Sequence, residues 1–399
     1  MTMPLEGIRV LEWTAFQQGP IAGALLADMG AEVIKIEEPR GDPGRGLAAI
    51  YGLDIPFNYY FQNQNRGKRG IILDFTKKRG QETLYKLVEK SDVFLTNYRY
   101  SHAQKMKVDY ETLSRYNPRL IYAYSSGYGM QGPDADLPSS DFAGQARGGL
   151  WMVSLTPDLT PVPLGAGFAD EVGGVLTAYG ILLALLARER TGEGQMVNTS
   201  LLGGQIEMVR LSLQLYLILG APAFASPAAT MSSPLWNLYR CQDDKWFCLA
   251  VLQPDRYWHS FCKVLGIEEL EKDPRFENAA ARRQHLGELM PILNRVFLTK
   301  TRDEWWQAFR AEAIPSAPVN DLSDLVKDPQ VIANEYIVEV DDPASGKVKV
   351  VGIPVKLSKT PGKVRALAPE LSQHTEEVLM EICGYTWDDI AKLREEGVF

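Results

Sequence analysis

The stretch GIRVLEWTAFQQGPIAGALLADMGAEVIKIE, Gly7–Glu37, has the pattern strand, helix, strand and decides the fold class. Ile8–Trp13 has the composition of a strand. Pro20 suits the first turn of a helix, because its missing N–H would have no partner there. Gly30 ends the helical pattern, and Ala31–Glu37 has strand composition again. A unit of this length predicts two parallel strands joined by a right-handed crossover.

Strands and helices continue to alternate along the chain. Strand composition returns in GIILDF (Gly70–Phe75), DVFLTNY (Asp92–Tyr98) and RLIYAYSSGYG (Arg119–Gly129), with helical patterns between them. This alternation predicts an α/β fold with a doubly wound, Rossmann-like parallel sheet, in which ligands bind beyond the carboxyl ends of the strands. The candidate ligand loops are Ala15–Pro20, Glu37–Arg45, Asn97–Lys105 and Ser125–Pro133.

A chain of 399 residues is long for a single hydrophobic core, so we expect more than one domain. The Pro/Ala/Ser-rich stretch Gly220–Pro234 has the composition of a linker. We therefore predict a large domain over residues 1–219, a smaller α+β domain over 220–325 and a C-terminal segment over 326–399.

Composition excludes several classes of function. The net charge of −8 provides no bulk attraction to nucleic acid or to an anionic membrane. The four cysteines show no CxxC spacing, which favours reduced thiols in a cytoplasmic protein, and the N-terminus lacks the pattern of a signal peptide. The longest apolar run, Val175–Ala187, is too short and too polar to predict a membrane span. The four histidines form no i, i+4 pair, so we expect no metal site.

One carboxylate, Asp170, lies at the head of a long apolar helix within Gly165–Gln195, which ends in Arg188, Arg190 and a TGEG turn. The simplest interpretation is a helix cap, because the helix dipole favours an acid in the first turn. The alternative is a nucleophile. The sequence has no GxSxG, P-loop or HExxH motif, and small residues around Asp170 leave room for a substrate. A carboxylate can attack an acyl group and form an anhydride.

The NRGKRG turn, Asn65–Gly70, places three cations just before a predicted strand. Together with arginines at positions 40, 45 and 99 it suggests a site for a ligand with several phosphates, although a basic turn is more often a solvated surface. A dinucleotide is excluded. Glu37 stands near the place of a ribose-binding acid, but the first turn reads AFQQGPIAG where GxGxxG is required.

In its whole length the chain resembles a family III CoA-transferase of the CaiB/BaiF group. This group includes formyl-CoA:oxalate and carnitine CoA-transferases, and the α-methylacyl-CoA racemases are related to it. The stretches that carry the resemblance are, in order, GIRVLEWTAFQQGP, LLADMGAEVIKIE, PRGDPGR, NRGKRGIILDF, DVFLTNYR, RYNPRLIYAYSSGYGMQGP, SSDFAGQARGGL, FADEVGG, RTGEGQMVNTSLL, DPRF and APELSQHTEEVL.

The resemblance implies transfer of CoA from an acyl-CoA thioester, with succinyl-CoA as the first donor to consider, to a carboxylic acid. The catalytic aspartate falls on Asp170, which would form an aspartyl-CoA thioester. Gln17 falls beside it as the candidate oxyanion donor, and Tyr60 and Asp141 match further active-site positions. Coenzyme A enters as substrate, and no permanently bound cofactor or metal is implied. The resemblance also implies an intertwined homodimer, or a heteromer with a related subunit, and a C-terminal segment that returns to the large domain.

The family's CoA-binding pattern falls on eight positions of this chain, where basic members suit the phosphates and Leu73 suits the adenine. These positions are Gln17, Gln18, Arg40, Leu73, Asn97, Tyr98, Arg99 and Lys105.

The chain departs from the family pattern at positions that bear on the substrate. CLAVLQPDRYW has no counterpart of the glycine loop of formyl-CoA transferases, which argues against formyl or oxalyl substrates. Ser140 stands where the racemases carry a histidine, which argues against two-base racemisation. Ser372 replaces a usual glycine without a functional implication. The alternatives to transfer are an acyl-CoA racemase or isomerase and a non-catalytic subunit of a hetero-oligomer.

Aromatic residues of the second domain allow two interpretations. They either shape an apolar acyl pocket or form the core of that domain, and large aromatic side chains are more often core. They are Trp236, Tyr239, Trp246, Tyr257 and Trp258.

Overall fold

The structure, a computed structural model, describes residues 2–47, 52, 58–153, 160–220, 233–342 and 346–399. The chain forms two compact units. Unit 1 consists of Met1–Met152, Pro163–Leu215 and Ile332–Phe399, and unit 2 consists of Val153–Val162 and Tyr216–Val331. Most of the predicted linker, residues 221–232, lies outside the described residues.

Unit 1 is built on a six-stranded parallel sheet with the order β3-β2-β1-β4-β5-β6. Its strands are β1 Arg9–Trp13, β2 Glu32–Glu37, β3 Arg69–Ile72, β4 Val93–Thr96, β5 Ile121–Ser126 and β6 Met196–Ser200. The prediction of a doubly wound parallel sheet is confirmed. The strand order reverses between β1 and β4, and a crevice forms at such a point beyond the carboxyl ends of the strands.

The helices in chain order are α1 Gln18–Asp28, α2 Tyr59–Asn65, α3 Lys78–Glu89, α4 Tyr100–Lys105, α5 Tyr110–Leu113, α6 Asp141–Arg147, α7 Leu150–Val153, α8 Phe168–Thr191, α9 Leu201–Met208, α10 Arg210–Leu219, α11 Pro254–Leu265, α12 Ala279–Gln284, α13 Leu286–Phe297, α14 Arg302–Ala311, α15 Leu322–Leu325, α16 Pro329–Ala333, α17 Thr375–Cys383 and α18 Trp387–Glu395. Short 3₁₀ turns occupy Pro43–Gly46 and Glu268–Lys272.

Helices cover both faces of the sheet, because successive strand residues point to opposite sides. On one face Leu11 and Phe94 pack with apolar residues of α3, α17 and α18. On the other face Val10 and Ile121 pack with alanines and leucines of α1 and α8. Buried strands with apolar residues on both faces are typical of a parallel sheet enclosed by helices.

Helix α8 passes close to the beginning of α1. A Cβ atom on Gly174 would lie 2.6 Å from Cγ2 of Ile21, and one on Gly173 would lie 2.6 Å from Nε2 of Gln18. Glycine at these two positions therefore permits an approach that a larger residue would prevent. The contact brings the first turn of α8, with Asp170, to the loop that follows β1.

Helix α8 is longer than the predicted apolar run. It has 24 residues, and its most apolar 18-residue window has a mean hydropathy of 1.5, enough by length and composition to cross a membrane. Of that window 44% is buried inside the protein, where α8 packs on α1, β5 and β6. The core helix of a globular protein meets the same criterion, so this helix alone does not assign the chain to a membrane.

Unit 2 contains an antiparallel sheet with the order β7-β8-β9, formed by Trp236–Arg240, Trp246–Ala250 and Ser316–Pro318. Tyr239 and Trp258 are buried in its core, so the interpretation of these two aromatics as an acyl pocket is wrong. Trp236 and Trp246 are exposed. In unit 1, β10 Ile337–Asp342 and β11 Gly346–Val351 form an antiparallel hairpin.

Candidate active site

A cavity of about 1330 Å³ lies at the carboxyl ends of the parallel strands in unit 1. The loops that follow β1, β4 and β5 form its floor, and α2, the segment that leads into α6, the first turn of α8 and the end of β11 form its walls. Of the predicted site residues, those on the cavity wall are Gln17, Gln18, Tyr60, Asn97, Tyr98, Arg99, Asp141 and Asp170. The topology thus brings together residues from five separate parts of the sequence.

Asp170 lies in the first turn of α8 and is half-buried. Its carboxylate accepts no hydrogen bond from the described part of the chain, and it does not cap the helix. The cap comes from Asp141, whose two carboxylate oxygens accept the backbone N–H groups of Gly167 at 2.8 Å, Ala169 at 2.6 Å and Asp170 at 3.2 Å. The structure therefore excludes a hydrogen-bonding cap by Asp170, although its place in the first turn suits the helix dipole, and shows its carboxylate without a hydrogen-bond donor among the described residues.

The pKa of Asp170 is raised from its ordinary value of 3.8 to about 7. Burial is the largest cause, because it disfavours the charged form, and the neighbouring carboxylates of Asp141 and Glu171 add to it. A strongly shifted acid on a cavity wall is characteristic of a functional site. Near neutral pH this side chain exchanges between acid and carboxylate.

Gln17 approaches the same turn of α8 from the loop after β1. Its Nε2 donates a hydrogen bond to Oε1 of Glu171 at 3.3 Å. A Cβ atom on Gly167 would lie 2.8 Å from that nitrogen, and Gly167 has a φ of +98°. Glycine is required here both by the left-handed backbone and by the close approach of the amide. The sequence analysis missed Glu171, although it directly follows Asp170.

Asn97 lies in the cavity wall, but its side-chain amide is already engaged. It accepts the N–H of Ala15 at 2.9 Å and donates to the carbonyl oxygen of the same residue at 2.8 Å. Asn97 thus lies at the cavity, while its hydrogen bonds hold the loop after β1. Gln18 is buried, and its Nε2 lies 3.5 Å from the carbonyl oxygen of Ser126.

Three predicted CoA residues do not line the cavity. Leu73 is fully buried in the core between the sheet and α3, so its side chain has no surface to offer an adenine ring. Arg40 and Lys105 are exposed, as is Arg99 at the cavity wall. None of these cations forms an ion pair with the described residues, and all of them remain available to phosphate groups.

The cations of the NRGKRG turn are all paired with carboxylates, although Arg66 also lines the cavity. Arg66 binds Asp28 at 2.6 Å, and Lys68 binds Glu12 at 2.7 Å. Arg69 contacts three glutamates, Glu32, Glu377 and Glu381. Arg45 is likewise held by both oxygens of Glu37. A phosphate would have to compete with these carboxylates, so the charges contribute to the fold.

Some of the cavity wall comes from a part of the chain that the sequence analysis did not connect with it. Lys349, Val350 and Val351 of β11 line the cavity. In the described parts of the chain no group of three or more His, Cys, Asp or Glu side chains is arranged to hold a metal ion.

Comparison with known proteins identifies relatives that extend over nearly the entire chain. The model of CoA-transferase family III matches residues 5–375. The succinyl-CoA–D-citramalate CoA-transferase of Chloroflexus aurantiacus is 32% identical over 398 residues, which are 99% of this chain and 98% of the relative. The succinate–glutarate CoA-transferase of Agrobacterium fabrum is 31% identical over 385 residues, 95% of this chain and 96% of the relative.

A solved structure agrees with these sequence matches. A CaiB/BaiF family protein from Brucella suis is 31% identical, superposes with a TM-score of 0.83, and aligns over 96% of this chain and 100% of its own. The likeness therefore holds for the entire fold.

Proposed function

The chain belongs to CoA-transferase family III, and from that premise we propose that Asp170 carries CoA between an acyl-CoA thioester and a carboxylic acid. The observation that carries this proposal is the Asp170 carboxylate itself. It lies on the wall of a large cavity, accepts no hydrogen bond from the described residues and has a pKa raised to about 7.

In the proposed reaction the Asp170 carboxylate attacks the thioester carbonyl carbon and expels the CoA thiolate, which leaves a mixed anhydride. The thiolate then attacks the Asp170 acyl carbon and releases the donor acid, so that Asp170 carries CoA as a thioester. The acceptor carboxylate attacks this thioester, and the returning thiolate removes the new acyl group as its CoA ester. Every step exchanges one carboxyl derivative for another, so the atoms balance without a further reactant.

Gln17 is the proposed oxyanion donor. Its Nε2 lies beside the first turn of α8, and an amide N–H fixed there can stabilise the negative charge that develops on a tetrahedral oxygen. Tyr60 also lines the cavity and is proposed to contact the substrate. Asp141 is proposed to act indirectly, by fixing the beginning of α8, because its oxygens already accept backbone N–H groups there.

We propose that the exposed cations Arg40, Arg99 and Lys105 receive the phosphates of CoA, since these side chains have no carboxylate partner among the described residues.

Succinyl-CoA is the first donor to test, because the two relatives described above are named for succinyl-CoA and succinate. We do not propose a racemase, because the hydroxyl of Ser140 does not supply the base that two-base racemisation needs near neutral pH.

We also propose that the protein is a homodimer in solution. Helix α8 exposes a row of large apolar side chains at helical spacing, and monomers seldom leave such a surface uncovered. The row consists of Val175, Tyr179, Leu182, Leu183 and Leu186. A sedimentation experiment tests this part of the proposal, and a monomer at micromolar concentration would refute it.

The covalent step is tested by trapping. The purified protein is incubated with succinyl-CoA, reduced with borohydride, digested and mapped by mass spectrometry around Asp170. Reduction of an aspartyl-CoA thioester replaces one carboxyl oxygen by two hydrogens, which gives a defined mass loss on that peptide. Asp170→Asn is expected to abolish both the mass change and the transfer. A fully active Asn variant would refute the mechanism.

Glu171→Gln is the matched control for this trap, since it alters the neighbouring acid and keeps the proposed nucleophile. It is expected to retain the mass change on the Asp170 peptide. Incorporation of solvent deuterium into a CoA ester, in the absence of an acceptor acid and of any change at Asp170, would instead indicate isomerase chemistry.

A further inference from the structure

The loop Thr14–Gln17 and the first turn of α1 that follows it are held in place by side chains from other elements. Asn97 binds both backbone groups of Ala15. Lys35 donates to the carbonyl oxygen of Thr14 at 3.1 Å, and Lys68 donates to that of Pro20 at 2.8 Å. The loop is therefore anchored on both sides of Gln17.

Asp42 holds the residue that directly precedes Gln17. Its Oδ1 accepts the backbone N–H of Phe16 at 3.1 Å and that of Gly44 at 2.8 Å. Its Oδ2 pairs with Nζ of Lys35 at 2.9 Å. The side chains of Asp42 and Lys35 are essentially inaccessible to solvent, so this ion pair is insulated from water and salt.

Lys35 links Asp42 to the rest of a buried charged cluster. Its Nζ lies 3.5 Å from Glu12, which in turn binds Lys68 at 2.7 Å. Burial alone would lower the pKa of Lys35, but the carboxylates of Asp42 and Glu12 outweigh it and hold that pKa above its ordinary value. Lys35 therefore remains a cation, and its charge holds the Asp42 carboxylate in one orientation.

Phe16 needs this support because its backbone is in an unfavourable conformation. Its φ is +62°, in the left-handed region that residues other than glycine rarely adopt. Its side chain is 49% exposed, so packing of the ring does not account for the conformation. Strain of this kind persists only where the surroundings impose it, and it is concentrated at functional sites.

We propose that Asp42 is a positioning residue for catalysis, whose buried carboxylate holds Phe16 in the left-handed conformation and so places the Gln17 amide against the first turn of α8, which carries Asp170. The inference rests on the proposed function, in which that amide stabilises the oxyanion. Asp42 itself acts through the backbone of Phe16. In Asp42→Asn the amide oxygen can still accept a hydrogen bond, but the NH2 group cannot pair with Lys35, so the acceptor loses its fixed orientation and the Phe16 peptide can relax. A displacement of Gln17 by about 1 Å is enough to lower kcat on the order of a hundredfold.

The first test compares Asp42→Asn with Asp92→Asn. Asp92 also accepts a backbone N–H, that of Arg9, and pairs with Arg188, but it precedes β4 at the opposite end of the sheet. Asp42→Asn is expected to lower kcat by about 10–100-fold with less than about threefold change in KM for the acyl-CoA, as for a misplaced catalytic group. Asp92→Asn is expected to lower the melting temperature and to keep kcat. An unchanged kcat in Asp42→Asn would overturn the proposal.

The second test changes Phe16 itself, first with the buried Asp42–Lys35 ion pair intact and then without it. Phe16→Gly and Phe16→Val both remove the ring, but glycine accepts a positive φ and valine strongly resists it. The glycine variant is expected to exceed the valine variant in kcat by about tenfold or more, and in the Asp42→Asn background Phe16→Gly is expected to restore part of the lost kcat. Equal rates for the two variants, or no restoration, would overturn the proposal.

Failure of the inference is distinguishable from failure of the proposed function. If the wild-type protein shows no borohydride-trapped Asp170, the proposed function fails, and the crystal structure of Asp42→Asn still decides the inference. We expect residue 16 to leave the left-handed region there and the Gln17 amide to move away from Gly167. A loop that keeps its conformation without the Asp42 carboxylate would show that other contacts hold it.

Discussion

The Asp141 carboxylate accepts the backbone N–H of Ala169 at 2.6 Å, one residue before Asp170. It also accepts the N–H of Gly167 at 2.8 Å and the side-chain amide of Gln145 at 2.7 Å. The helix that carries Asp170 thus begins with its free amide groups occupied by a carboxylate from another helix. Neither acid of the first turn, Asp170 or Glu171, is therefore needed to cap the helix.

Removal of this cap should reduce stability and activity together. Asp141→Ala is expected to lower the free energy of unfolding by about 1–2 kcal/mol, the usual cost of a lost cap, and to lower kcat because the turn that bears Asp170 loosens. Asp109→Ala is the control, since Asp109 caps α5 through Thr112 far from Asp170 in sequence and outside the cavity wall. Urea unfolding and steady-state kinetics measure both effects. Equal changes of kcat in the two variants would contradict the prediction.

The pH dependence of the reaction should follow the ionisation of Asp170. Attack requires the carboxylate, so kcat/KM is expected to fall as the pH drops below about 7, the raised pKa of this group. Glu171→Gln removes one neighbouring negative charge and should move the profile to lower pH. Glu189→Gln, the same substitution near the other end of α8, should leave the profile in place. A profile that is unaffected by both substitutions would show that another group controls the rate.

The same shift should appear in the stability of the folded protein. Because the folded pKa of Asp170 is raised from 3.8 to about 7, the native state binds this proton more tightly than the unfolded state does. The contribution is fully present below the unfolded pKa and is lost as the pH rises through the folded value. As the pH rises across this range, the free energy of unfolding of the wild type should therefore fall by about 2–4 kcal/mol relative to that of Asp170→Asn. Unfolding free energies of both proteins on either side of the window test this, and parallel curves would refute it.

Gly167 should be intolerant of a side chain for two separable reasons. Gly167→Ala introduces strain at a positive φ and places a Cβ atom 2.8 Å from Nε2 of Gln17. Gly192→Ala, at the other end of α8, has a φ of +79° and its nearest neighbour at 3.9 Å. Both variants should lose about 1–2 kcal/mol of stability, and only Gly167→Ala should lower kcat, by about 10–100-fold. Melting curves and kinetics separate the two effects, and comparable kcat in both variants would count against a role for Gln17.

Local patterns in the sequence were sufficient to predict the parallel sheet and its first strand–helix–strand unit. The unit Arg9–Glu37 could be predicted because the composition of a strand, a helix-starting proline and a helix-ending glycine each act over a few residues. The ends of the strands could then be read as ligand loops, and the cavity lies there. The contribution of the β10–β11 hairpin to the cavity was not predicted, because no local signal relates residues 349–351 to residues 15–18.

The sequence by itself determined the α/β class, the family resemblance and the place of Asp170 at the head of α8, all of which depend on short segments and their order. Only the tertiary structure decided what each charge does. Lys68 and Arg66 follow one another closely in a basic turn, yet both are neutralised by acids of β1 and α1 that lie far away in sequence. Asp141 and Asp42 likewise bind backbone groups of distant segments. Hydrogen bonds and ion pairs depend on distances of a few ångströms between residues that only the folded chain brings together.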